Sequence, residues 1–142
     1  MKILLAVDGS KPSLDAVKLL IDHADWYRDK PEVELVTVHL PLPKLGRMSA
    51  VVSKKQIEEY YREEGEQCLA EAKKQLERAG IAYQPRILVG PIAETIAKHA
   101  KEAQCELIYI GTHGRTGIAG ALVGSTASKV LHISDVPVLL VK

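Results

Sequence analysis

The sequence predicts an α/β fold, a single-domain open five-stranded parallel sheet with helices on both faces. Three observations carry that expectation. Short β-rich apolar runs alternate with amphipathic helical stretches along the whole chain, the order that parallel strands joined by crossover helices require. The run Ile3-Leu4-Leu5-Ala6-Val7 is continuously apolar rather than alternating, as a strand covered on both faces should be. With 142 residues, the chain can bury an aliphatic core in one domain spanning 1–142 without metal or disulfide staples.

The first strand meets Asp8-Gly9-Ser10. Ser10 is placed to cap a helix, Pro12 suits its first turn, and Leu14, Val17, Lys18, Leu20 and Ile21 recur at helical spacing, so a helix is expected as far as Trp26 or Arg28. Pro31 breaks the chain, and Val33 to Leu40 returns as the second strand. Residues 41–52, with Pro41, Pro43, Gly46 and Ser49, read as a long loop. Ser53 followed by Gln56 forms a capping-box pattern for a long helix to about Ala79, with Ile57, Tyr60, Tyr61, Cys68, Leu69, Ala72 and Leu76 near one stripe and Gly80 as the stop. Gly65 inside it lowers helix propensity by roughly 1 kcal/mol relative to Ala, which signals a bend or a close contact.

Ile81 to Val89 is the third strand, and Gly90-Pro91 opens a helix that turns Ile92, Ile96, Ala97 and Ala100 inward. Leu107 to Ile110 is the fourth strand, Gly124 to His132 the last helix, and Val136 to Val141 the fifth strand. Pro137 cannot donate a ladder hydrogen bond, which places that last strand at an edge. An apolar edge needs cover, and pairing with the same strand of a second copy supplies it, so a homodimer is expected.

Composition narrows the function. Hydrophobic residues make up 46% and charged residues 26%, as in a soluble globular protein. Nineteen Lys and Arg are mixed with eighteen Asp and Glu, and aromatics are 4%; neither a basic stripe nor a base-stacking platform for nucleic acid results. The N-terminal apolar run is too short for a signal peptide or a membrane span. Cys68 and Cys105 are far apart and lack a C-x-x-C partner, so a disulfide framework or zinc site is not expected and a reducing cytoplasm is.

Most of the functional information lies between Gly111 and Thr126. In open parallel sheets ligands sit beyond the strand C-termini where the strand order reverses. Asp8 to Ser10, Val38 to Leu40 and the glycine-rich segment should all project there. Glycines let the backbone come close to a ligand, and successive N–H groups can then cradle an anion. Gly124, Ser125 and Thr126 fall where a helix begins, whose first N–H groups and positive dipole end favour phosphate. The spacing fits neither G-x-G-x-x-G nor G-x-x-x-x-G-K-[ST]; it is G-x-x-G, nine residues, then G-S.

Each candidate also has a structural reading. Asp8 can accept from a ribose hydroxyl or approach a phosphate-bound metal, or serve as a turn residue. The main chain of Val38 can pair with an adenine edge, although its side chain alone reads as core. Ser125 suits phosphate or an N-cap. Arg115 can clamp a phosphate with its fork, or point into solvent. His113 has no nucleophile or acidic partner nearby in sequence, and no residue is assigned a catalytic role. His39, His99 and His132 lack metal-ligand spacing.

The opening Ile3-Leu4-Leu5-Ala6-Val7-Asp8-Gly9-Ser10, the Gly90-Pro91 helix start, Gly111-Thr112-His113-Gly114-Arg115 through Gly124-Ser125, and the ending Val136-Pro137-Val138-Leu139-Leu140-Val141 together resemble the ATP-binding branch of the universal stress protein family. The resemblance covers essentially the whole chain. It implies a flavodoxin-like, adenine nucleotide alpha hydrolase-like sheet, a homodimer joined through the last strand, and ATP bound with a divalent ion, Mg or Mn. By that similarity, adenine lies near Ala6, Val7 and the backbone of Val38, with Ile110 in the same pocket, and ribose lies near Asp8 and Gly111. Phosphates lie on Gly114, Gly124, Ser125 and Thr126, with Arg115 beside them.

Three or four charge-assisted hydrogen bonds and a buried adenine support affinity on the order of micromolar. The leading expectation is therefore an ATP-binding regulatory module of the stress response, with a protein partner yet to be named and no nucleic-acid or membrane partner. Alternatives are a slow ATPase or phosphotransferase, disfavoured because no base, Walker lysine or arginine finger is evident, and a protein-interaction scaffold holding another small ligand.

Overall fold

The computed structural model describes residues 1–43, 52–113 and 123–142. In chain order it contains β1 (Lys2–Ala6), α1 (Lys11–Asp22), a short 3-10 turn (Ala24–Trp26), β2 (Glu32–His39), α2 (Lys54–Arg78), β3 (Tyr83–Val89), α3 (Ile92–Glu102), β4 (Leu107–Gly111), α4 (Ser125–Ile133) and β5 (Val138–Val141). The five strands form one parallel sheet in the order β3-β2-β1-β4-β5.

The unbroken apolar run of β1 is explained by its central place. Ile3, Leu5 and Val7 enter one core with Val17 and Leu20 of α1 and Leu69 and Leu76 of α2. Leu4 and Ala6 enter the opposite core with Ile96 of α3 and Val130 of α4. Successive side chains of a strand face opposite ways, so only a run apolar at every position can serve two helical layers.

Local signals act where expected, with shifted boundaries. Ser10 caps α1 by accepting from the Ser13 amide, but the helix stops at Asp22 instead of Trp26 or Arg28. The following turn redirects the chain so that the Tyr27 hydroxyl reaches that of fully buried Tyr109, 2.5 Å away. Lys18 stays exposed, so the buried stripe of α1 is narrower than its spacing implies. The Ser53–Gln56 capping box is complete, each side chain accepting from the other residue's amide at 3.2 and 2.9 Å. Gly65 marks a close contact: a Cβ there would lie 2.5 Å from Ile87 of β3.

Gly80 takes a left-handed φ of +66° after α2, and the Ile81 amide turns back to the Leu76 carbonyl. Ile81 therefore belongs to the helix cap, and β3 begins only at Tyr83. Val136 is held in a turn by the Ser134 hydroxyl, which delays β5 to Val138. β5 is an edge strand, as Pro137 suggested. The other edge, β3, carries Pro85 in its middle.

One charged group lies deep in the sheet. Glu34 of β2 is 2% exposed and receives Lys2 Nζ, Arg86 Nε and His99 Nε2 at 3.1, 3.0 and 3.0 Å. Burial pushes its carboxyl up, but the hydrogen bonds from His99, Arg86 and Lys2 and the Lys2 charge outweigh this and hold it down to about 2. No helix among the described residues is long and apolar enough to cross a membrane.

Candidate functional site

From β1 the chain steps outward to β2 and β3, then returns past β1 to β4 and β5. The order thus reverses between β1 and β4, and a crevice opens beyond their C-terminal ends. It offers about 100 Å³ of space, several times the roughly 10–15 Å³ that one water needs. Ala6, Val7, Val38 and Ile110 supply apolar walls, and Asp8, Gly111, Gly124 and Thr126 line it as well. Three separate chain segments meet there, as the sequence led us to expect. Ser125 is exposed at the start of α4 and does not line the crevice, while Gly114 and Arg115 lie outside the described residues.

Asp8 takes the turn role that the sequence offered for it, at the border of the crevice. Its Oδ1 accepts from the Ser10 amide at 2.9 Å, which builds the turn into α1, and its carboxyl still borders the crevice. Gly9 between them has a φ of +81°, a conformation that a side chain would strain.

Main-chain direction at β2 explains the place of Val38. The Val7 amide donates to the Val36 carbonyl, whereas the His39 carbonyl accepts from Gly90 on the β3 side. In a parallel ladder the polar groups of alternate residues turn to the same neighbour, so those of Val38, like those of Val36, turn toward β1. The β1 pairing ends at Ala6, and beyond it lies the crevice. An apolar wall thus carries a backbone donor and acceptor at its rim.

Gly111 and Gly124 have packing reasons of their own. A Cβ on Gly111 would lie 2.6 Å from the Pro12 carbonyl oxygen, so this glycine lets β4 abut the first turn of α1. Gly124 is the N-cap of α4 in extended geometry and has no side chain to cap the first amides, in contrast to Ser10 and Ser53. Those amides, with the positive dipole end of the helix, stand at the crevice beside Thr126.

The whole-chain comparison decides the family: residues 1–142 match the universal stress protein family. The chain belongs to that family. It is 36% identical over 141 residues to universal stress protein MJ0531 of Methanocaldococcus jannaschii, covering 99% of this chain and 81% of that protein. The solved structure of MJ0577, from the same organism, superposes with a TM-score of 0.80 at 27% identity over 99% of this chain and 94% of the other. A universal stress protein of Archaeoglobus fulgidus, solved in complex with dAMP, superposes with a TM-score of 0.63 at 25% identity, covering 100% of this chain and 98% of that one.

Within this universal stress protein fold, several lining residues escaped the sequence reading. Ile92 and Ile96 of α3, Val36 of β2 and Ala127 of α4 complete the apolar wall. The inward face of α3 was legible from its spacing, but which inward residues border a cavity depends on how far α3 stands from β4. Ser13 and Thr112 were missed as well; both are buried, with hydroxyls engaged locally. Thr112 Oγ1 lies 3.1 Å from Nδ1 of His113, which also borders the crevice.

As a metal centre the crevice is sparse. No group of three or more His, Cys, Asp or Glu side chains suited to a metal occurs among the described residues. Among the described lining residues Asp8 is the carboxylate, a donor set that would suit a magnesium-like ion taking its other ligands from phosphate oxygens and water.

Proposed function

We propose that this universal stress protein is a nucleotide-binding regulatory module of the stress response, in which ATP occupies the crevice between β1 and β4 without fast turnover. Adenine lies against Ala6, Val7, Val38 and Ile110, its edge paired with the main chain of Val38. Ribose lies near Asp8 and Gly111. The phosphates lie at Gly114, Arg115, Gly124, Ser125 and Thr126, and Asp8 would help to hold a Mg or Mn ion that would offset their charge. The observation that carries this reading is the convergence of an apolar wall with a backbone rim, a carboxylate and a helix N-terminus on one crevice. That a family member has been solved with dAMP supports an adenine nucleotide as the ligand class.

The reading includes a homodimer of single-domain chains in the cytoplasm, joined through β5 and acting on a protein partner. Pro85 interrupts the donors of the β3 edge, whereas residues 138–141 of β5 are all Val or Leu, which favours β5 as the paired edge.

Isothermal titration with ATP and Mg tests the ligand. Heat consistent with micromolar affinity and a raised melting temperature are expected, because a ligand of the folded state must stabilise it. Absence of both at millimolar ATP overturns the proposal.

A further inference from the structure

We propose that Ser13 is a positioning residue that ties down the Asp8 main chain, and with it the turn whose Ser10 amide holds the Asp8 carboxylate, and so sets a preference for ribonucleotides over 2′-deoxyribonucleotides. The inference rests on the nucleotide reading above and extends it to the sugar.

Ser13 is the third residue of α1 and is only 4% exposed, yet it borders the crevice. Both functions of its hydroxyl are spent on one turn. Oγ accepts from the Asp8 amide at 3.3 Å and donates to the Ser10 carbonyl at 2.9 Å. The Ser13 amide in turn donates to Ser10 Oγ at 3.5 Å, and the Ser10 amide donates to Asp8 Oδ1 at 2.9 Å. These four bonds close a ring over residues 8–13. The ring is clamped from outside as well, because Gly111 of β4 sits against the Pro12 carbonyl. The Ser13 hydroxyl is what ties the Asp8 main chain to α1.

A carboxylate discriminates between hydroxyl and hydrogen only if it is held in place. A site built to hydrogen-bond a hydroxyl rejects the analogue lacking it, because a polar group is then left without its partner. A carboxylate that swings freely re-solvates and loses that discrimination. A relative has been solved with a deoxynucleotide, so the fold by itself does not exclude the deoxy sugar, and the preference is argued from the ring around Asp8 in this chain.

The test is titration of the full-length protein with ATP and with 2′-deoxy-ATP, both with Mg, for wild type, Ser13→Ala and Ser13→Cys. Wild type should bind ATP roughly tenfold tighter than 2′-deoxy-ATP. In Ser13→Ala that ratio should fall to within about twofold of unity because ATP affinity falls more than 2′-deoxy-ATP affinity, a pattern that a general loss of fold would not produce. Ser13→Cys keeps the volume and weakens both hydrogen bonds, so it should give an intermediate ratio and stands in if the alanine variant fails to fold. A wild-type ratio near unity, or an unchanged ratio in the variants, overturns the role of Ser13 and leaves the nucleotide reading intact. Binding of neither nucleotide by wild type overturns both.

Discussion

The amide of Gly124 donates a hydrogen bond to the carbonyl of Thr112, tying the β4–α4 connection together at its base. The Thr112 amide meanwhile donates to Val141 of β5 at 2.9 Å, so the same residue anchors the connection to the sheet edge. A Cβ on Gly124 would lie 2.8 Å from the Thr112 oxygen and 3.3 Å from the His113 Cα. Gly124→Ala should therefore force the base apart. We expect a loss of ATP affinity of roughly tenfold or more with a smaller fall in melting temperature, read by titration and thermal unfolding. Unchanged ATP affinity would show that the tie does not shape the ligand site.

Gly111→Ala tests the contact between β4 and α1. The atom it would strike is backbone, the Pro12 carbonyl oxygen at 2.6 Å, which cannot swing aside as a flexible side chain can. Overpacking of this kind costs about 1–3 kcal/mol, to be read from urea midpoints. A neutral result would mean that α1 can retreat from the strand.

Glu34 gives a pH dependence of defined sign. Its carboxyl is held at about 2 in the folded protein against an ordinary 4.5. The stability it contributes is therefore complete above pH 4.5 and is lost as the pH falls from there toward 2. Its full size corresponds to about 3 kcal/mol. Glu34→Gln should lower stability near neutral pH and flatten the loss across that acid window, measured by urea unfolding from pH 7 down to 2.5. An unchanged acid limb would assign it to other carboxylates.

Tyr27→Phe tests the hydroxyl pair that redirects the chain after α1. It would leave the Tyr109 hydroxyl, whose residue is fully buried, without its Tyr27 partner. Burial first, and then the Tyr27 hydroxyl, already push ionisation of Tyr109 up, as expected of a phenol sealed from water. The cost should be about 1–3 kcal/mol in urea unfolding. A loss well below that range would imply that water reaches Tyr109 in the variant.

Read alone, the chain determined its layer architecture, the order of its elements, the caps at Ser10, Ser53 and Gly80, the edge position of the last strand, and the three segments that meet beyond β1 and β4. Those features depend on periodicity and on residues whose backbone preferences act over a few positions, so a single sequence carries them. Tertiary structure alone decided that Gly111 and Gly124 are demanded by the Pro12 and Thr112 carbonyls, that Ser13, Ile92 and Ile96 face the crevice, that Ser125 stands outside it, and that Glu34 is ringed by Lys2, Arg86 and His99. Each of these is a contact between residues far apart in the chain, or a direction set by such a contact, and neither composition nor spacing records the distance between a glycine and a carbonyl on another element.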